Sequence, residues 1–236
     1  EPALTDLLDR VTRATSLREG RTGVANVLRL VHLRGKTTLK DLSRRSGLPV
    51  PVLAAVRGEL EKEQVLERRG GMVLTDRGRH IVETYLQIVS RHDPACPTCQ
   101  GRRIVIADDL DIVVAKLEHA YRHSPKVDVT LDQAPCLAET SVCRALVLHA
   151  HGALEGKDVI ILGDDDLVSL ALGYLGQVLG APLARRIVVL ETDPAWIELI
   201  QTTSDRENLG IECVRHDLRD PLPADLRGQF DTFETD

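Results

Sequence analysis

Apolar residues recur at helical spacing through the first third of the chain. In residues 3–16, Leu4, Leu7, Leu8 and Val11 share one face, which predicts an amphipathic helix. Helical patterns follow at about 24–33, 36–47 and 49–65; in the second, Thr38 is placed as an N-cap and Gly47 as a C-terminal stop. In the third, Leu53, Val56, Leu60 and Val65 are the inward positions. Residues 66–75 then hold two short β-prone pieces around Gly70-Gly71, as a hairpin would. Thr75-Asp76-Arg77-Gly78 opens a fourth helix, expected to run to about residue 89. Helices followed by a small hairpin predict a winged-helix domain over residues 1–90.

The second half changes period. After a linker at 91–103, helices are expected at 108–123 and 139–151, with an alternating stretch at 126–131 that predicts a strand. Short apolar runs rich in β-branched residues follow at 159–162, 187–190 and 211–214, and another begins near Phe230. Helical patterns separate the first three. Strands alternating with helices predict a parallel α/β sheet with right-handed crossovers. The fold class is therefore α/β: an N-terminal winged-helix domain, then a Rossmann-like parallel-sheet domain over 104–236. Such a domain takes more strands than these, so it is expected to be C-terminally incomplete.

The stretch 158–172 organises this second domain. Val159, Ile160, Ile161 and Leu162 read as a buried strand, Gly163 breaks it, and Leu167, Leu170 and Ala171 begin a helical pattern. Ligands of such folds sit beyond the carboxyl end of the first strand. Between strand and helix stand Asp164, Asp165 and Asp166, expected at the turn and the first helical turn. A helix N-terminus usually attracts anions, but three carboxylates there repel a pyrophosphate. The glycine spacing of a dinucleotide site is also missing. A cationic ligand fits better: a sulfonium, an amine or a metal ion. Plain helix capping is the alternative, and it needs one or two of the three.

Three further acids bear on a ligand. Glu191 and Asp193 end the second strand, where an acidic side chain can accept both hydroxyls of a ribose. Asp217 follows the third strand and is placed to accept from an adenine amino group. The competing account of each is a helix cap or a solvated loop acid.

Composition narrows the rest. With 236 residues, 43% hydrophobic but 3% aromatic, aliphatic side chains must fill the core. A net charge of −6 argues against a chain built mainly for nucleic acid. Basic residues do outnumber acidic ones in 22–90, but Glu59, Glu61 and Glu63 crowd the candidate recognition helix, so DNA is not the expected partner and a structural or dimerising role, as a homodimer, is expected. No apolar run has membrane-spanning length and residues 1–16 lack a signal-peptide pattern, which predicts a cytoplasmic protein without membrane contact. The five cysteines form no secretory disulfide pattern. Cys96-Pro97-Thr98-Cys99 is a lone C-x-x-C, open between half a zinc site, a redox pair and free thiols; no metal is expected. His149 and His151 lie two apart and do not share a helical face.

With those residues in view, the chain resembles the branched-chain polyamine synthases, the N(4)-bis(aminopropyl)spermidine synthases. The resemblance rests on Leu131-Asp132-Gln133, on Glu139-Thr140 with Arg144, and on Leu162-Gly163-Asp164-Asp165-Asp166-Leu167. The run from Phe230 through Asp231, Thr232, Phe233, Glu234 and Thr235 to Asp236 is similar to the family's approach to an Asp-Pro-Pro motif. The resemblance implies that the Rossmann-like domain is of the methyltransferase or spermidine-synthase type, and that it transfers aminopropyl groups from decarboxylated S-adenosylmethionine, a co-substrate rather than a cofactor, to the secondary amine of spermidine. It implies that the Gly163 turn borders the donor's sulfonium, that Glu191 or Asp193 holds the ribose, that Asp217 meets the adenine, and that Gln133 and Glu139 belong to the substrate site. The attacking amine is protonated at neutral pH, so a carboxylate must take its proton. Asp166 and Asp236 are the candidate bases, with Asp164 and Asp165 as charge partners. Two other readings stay open: an amine or nucleic-acid methyltransferase using intact S-adenosylmethionine, and a winged-helix regulator with a ligand-sensing domain.

Overall fold

The computed structural model describes residues 2–91, 93 and 104–235. Cys96, Cys99 and Asp236 lie outside the described residues, as does most of the linker. The chain divides into two compact units, Glu1–Asp93 and Pro94–Asp236.

In the first unit, α1 (Pro2–Thr15) buries Leu7, Leu8 and Val11 against α2 (Gly20–Arg34) and α4 (Val50–Lys62). Between those two, α3 (Leu39–Ser46) starts where the Thr38 hydroxyl accepts the Asp41 N–H at 3.2 Å and stops at left-handed Gly47. The cap satisfies an otherwise orphaned donor, and glycine takes a backbone conformation costly to side chains. Strands β1 (Leu66–Arg68) and β2 (Met72–Leu74) pair antiparallel around the Gly70-Gly71 turn. The closing helix is shorter than its pattern suggests. α5 (Asp76–His80) passes into a π-helical turn, Ile81–Tyr85, and Gln87 at φ 57° ends it before residue 89. The glutamates of α4 and its C-terminal end are engaged: Glu59 with Lys62, Glu61 with Arg57 and Arg68, Glu63 with Arg10.

The second unit is built on a four-stranded parallel sheet in the order β5-β4-β3-β6, with β3 Asp158–Leu162, β4 Arg186–Glu191, β5 Ile211–Arg215 and β6 Thr232–Thr235. Alternation divides its strands between two faces. Val159, Ile161, Ile187, Val189 and Ile211 pack with α6 (Asp111–Tyr121), α7 (Ala138–Ala150), α8 (Val168–Leu179) and α9 (Pro194–Glu207). Ile160, Val188 and Leu190 face the segment 216–231 through Leu222, Leu226 and Phe230. The β3-to-β4 connection therefore lies on one face and the β5-to-β6 connection on the other. Strand order reverses at the β3/β6 boundary, where ligand crevices of open α/β sheets form. Among the described residues, no helix is long and apolar enough to cross a membrane.

Two local expectations are corrected. Residues 126–131 form no strand. Val129–Leu131 is a 3₁₀ turn, Val129 is 80% exposed, and the Asp128 carboxylate accepts both the N–H and the hydroxyl of Thr130. An Asp side chain that closes its own turn competes with strand pairing. The second correction concerns the aspartates. None of the three enters the helix: Leu167 at φ 50° precedes α8, and its N–H closes a turn onto the Asp164 carbonyl at 3.0 Å. His149 has a structural place. It is buried and lies 2.8 Å from the Glu155 carboxylate, at the approach to β3.

Candidate functional site

The site grows from the end of β3. Gly163, at φ 76°, donates its N–H to Leu190 O at 2.8 Å and turns the chain over the tip of the sheet. That left-handed backbone favours glycine. Gly163→Ala is expected to lower unfolding stability by about 1–2 kcal/mol, read by chemical denaturation.

Asp164 points inward. Its carboxylate accepts from Val168 N–H at 2.7 Å, from Ser169 N–H at 3.3 Å and from the Ser169 hydroxyl. It caps α8 from four residues upstream. Burial pushes this carboxyl well above the ordinary carboxylate range, while the Ser169 and Val168 hydrogen bonds pull the other way.

Asp165 and Asp166 reach toward the loop before α7. Asp165 Oδ2 accepts the Ala134 N–H at 2.7 Å, and Asp166 Oδ1 accepts the Cys136 N–H at 2.6 Å. The Asp166 carbonyl accepts from Tyr121 Oη at 2.7 Å and Ser141 Oγ at 2.6 Å. Burial raises the pKa of both the Tyr121 hydroxyl and the nearby Cys136 thiol, so both stay neutral near pH 7. Arg144, on α7, donates to Asp166 Oδ2 and, through its Nε–H, to Glu234 Oε1 at 2.8 Å; its terminal nitrogen also reaches the Thr235 carbonyl at 3.0 Å. One guanidinium thus ties the β3 turn to the end of β6.

At the end of β4, Glu191 is buried and accepts three backbone donors: Asp164 N–H at 3.2 Å, Thr192 N–H at 2.7 Å and Asp193 N–H at 2.9 Å. Asp193 caps α9 through Ala195 N–H at 2.8 Å. Its other oxygen accepts from Gln133 Nε2 at 2.9 Å, and Gln133 Oε1 accepts the Asp128 N–H. The loop 133–137 is therefore pinned over the strand ends by Asp165, Asp166 and Asp193.

The sheet thus gathers Gly163, Asp164, Asp165, Asp166, Glu191, Asp193 and Gln133 into one hydrogen-bonded group. Two expected members stand apart. Asp217 binds Arg219 in its own loop, which holds its carboxyl below the usual range. Glu139 is exposed on the first turn of α7. Among the described residues, no group of three His, Cys, Asp or Glu side chains is placed to hold a metal ion.

Residues 112–236 match the family described as the branched-chain polyamine synthase A C-terminal domain. The match covers more than half of the sequence. The chain belongs to this family. The N(4)-bis(aminopropyl)spermidine synthase of Thermococcus kodakarensis is 35% identical over 236 residues, covering 98% of this chain and 64% of that protein. The enzyme of the same name from Thermus thermophilus is 31% identical over 235 residues, with 99% and 64% covered. A crystal structure of the branched-chain polyamine synthase from Thermus thermophilus, in complex with N4-aminopropylspermidine and 5′-methylthioadenosine, superposes with a TM-score of 0.51 at 30% identity, covering all of this chain and 64% of that one. The chain spans less than two thirds of the length of these relatives.

Within this branched-chain polyamine synthase domain, the side chains to which site reasoning gave no role are Tyr121, Ser141, Arg144 and Glu234, the last two having entered only as part of the family resemblance. Arg144 had a visible signal. It is a lone cation between Val142 and Leu146, two of the buried positions of α7. Glu234 had a weaker one, a carboxylate inside a strand next to the first strand's acidic turn.

Proposed function

We propose that this chain carries the aminopropyl-transfer site of a branched-chain polyamine synthase, with decarboxylated S-adenosylmethionine as donor and the secondary amine of spermidine as acceptor. The observation that carries the reading is the state of the α8 N-terminus. The donors a phosphate would need, Val168 N–H and Ser169 N–H, are already taken by Asp164. Asp165, Asp166, Glu191 and Glu234 lie buried around the same strand ends. Such a crevice rejects anions and favours a sulfonium and an ammonium. The charge is local to this unit: 24 of the 36 acidic residues but 13 of the 30 basic ones fall in residues 94–236, a net charge of −11 against +5 for residues 1–93. That field steers a polycation toward the unit. The ligands in the Thermus structure support the same reaction, since N4-aminopropylspermidine and methylthioadenosine are the pair that one transfer leaves behind.

In the proposed step the neutral secondary amine attacks the aminopropyl carbon attached to sulfur. The C–N bond forms, the C–S bond breaks, its electron pair stays on sulfur, and methylthioadenosine leaves. The proton shed by the amine goes to a carboxylate, either Asp166 or Asp236. Glu191 or Asp193 holds the ribose hydroxyls, Asp217 serves the adenine, and Gln133, Glu139 and the Gly163 turn border the substrates. No cofactor or metal is needed for this displacement.

The first unit is proposed to be a winged helix over residues 1–90, joined by a linker at 91–103 to the transferase domain at 104–236. The engagement of Glu59, Glu61 and Glu63 with neighbouring cations supports a structural or dimerising role rather than DNA reading.

The test is an assay of the full chain with decarboxylated S-adenosylmethionine and spermidine, followed by mass spectrometry. A branched tetra- or penta-amine together with methylthioadenosine is expected. Methyl transfer from intact S-adenosylmethionine, with no aminopropyl product, would overturn the reading.

A further inference from the structure

We infer that Arg144 is a resident counter-ion, seated where an ammonium group of the acceptor binds and displaced by it. The inference rests on the polyamine reading above and adds a specificity-setting residue to it. Its ground is the layering of the charges. Asp166 and Glu234 are each 9% exposed at the side chain, whereas the Arg144 side chain between them is 24% exposed. The Arg144 side chain is thus the most open of the three, and its terminal nitrogen bonds the Thr235 carbonyl at an exposed position. A cation arriving from water reaches them by taking its place.

Arg144 is also suited to leave. It enters from α7, while both carboxylates sit on the sheet, at the turn after β3 and at the end of β6. The Asp166 carboxylate keeps its bond from the Cys136 N–H when the guanidinium swings away. Glu234 stays in β6, paired in register with Ile161 of β3. The pocket thus survives the exchange, and the buried carboxylates are never without a cation. An uncompensated buried charge would be the costly alternative. An alkylammonium makes fewer and less directional hydrogen bonds than a planar guanidinium. The exchange therefore costs hydrogen bonds at this seat, which weakens acceptor binding and suits a site that must also release its product.

A side chain that competes with the ligand and one that only holds the pocket together predict opposite signs. Spermidine is titrated calorimetrically into the wild-type chain and into Arg144→Gln, without donor, at one fixed pH and ionic strength. Removing a competing charge is expected to lower the Kd for spermidine about tenfold. The variant is also expected to melt at a lower temperature than wild type when empty and to gain more in Tm on adding spermidine. A Kd that is unchanged or higher would overturn the inference. If Arg144→Gln does not fold, Arg144→Lys carries the test. Its compact ammonium cannot span both carboxylates, so a Kd several-fold below wild type is expected, and an equal or higher one overturns the proposal. The wild-type product assay is independent of this titration. Product from wild type with weaker binding by the variants sinks only the counter-ion. Tighter binding with no product from wild type sinks only the transferase.

Discussion

Replacing Asp166 by asparagine is expected to lower aminopropyl transfer by about a hundredfold or more, the usual worth of a positioned proton acceptor. Asparagine keeps the side chain's shape, and its carbonyl oxygen can still accept the Cys136 N–H. The backbone anchors at the Asp166 carbonyl, from Tyr121 and Ser141, are untouched. What the change removes is the negative charge facing Arg144 and the lone pair that would receive the amine's proton. The loss should therefore fall on kcat at saturating amine, read as branched product by mass spectrometry, with the melting temperature lowered only by the loss of one of the two carboxylates that Arg144 pairs with. A rate within threefold of wild type would remove Asp166 from the proton-transfer step and leave Asp236 as the candidate. A loss confined to KM would leave Asp166 with its place in the ammonium seat and no part in proton transfer.

The sheet was legible because its signal is local. Each of the β3, β4 and β5 runs combines β-branched residues with a terminating glycine, acid or polar turn, and each falls within a residue or two of its expected place. The caps at Thr38 and Gly47 were equally readable, since the chemistry that stops a helix sits at its ends. The failures share a cause. At 126–131, alternation of apolar and polar residues was present, but the Asp128 turn and the 80% exposure of Val129 show that alternation without a neighbouring strand builds no sheet. At 164–167, the helical periodicity starts with Leu167. A buried carboxylate capping from Asp164 moved the start to Val168, and nothing in residue spacing announces a left-handed leucine.

The candidate site divides in the same way. The acidic turn and the acids after β4 follow from topology, because strand order fixes where the strand ends meet. Which carboxylate points inward does not. Asp164 serves the backbone, as the capping alternative held, while Asp165 and Asp166 reach the loop before α7. Arg144 lies 22 residues before Asp166 and 90 before Glu234 in the chain. A contact of that separation exists only once α7 has docked on the sheet. Each residue is marked in its own segment, but their pairing leaves no mark in any short stretch of sequence.

The Asp164 cap leads to the second large expected effect. Asp164→Ala should cost about 2–4 kcal/mol in unfolding stability, since it removes a helix cap and strands Val168 N–H, Ser169 N–H and the Ser169 hydroxyl in a buried turn. Asp164→Asn separates the charge from the packing. Burial places the folded-state pKa of Asp164 well above its ordinary value of 3.8. Between those two values the folded chain binds more protons than the unfolded one, so this group's contribution is full below the unfolded pKa and declines as pH rises through the folded one. Asparagine has no such dependence. The stability gap between wild type and Asp164→Asn should therefore narrow as pH is raised from 4 toward 8, in guanidinium midpoints measured at each pH. A gap that widens with pH would mean that the three donors outweigh burial and hold Asp164 ionised. The turn would then carry a permanent negative charge beneath Gly163, whose turn is proposed to border the sulfonium.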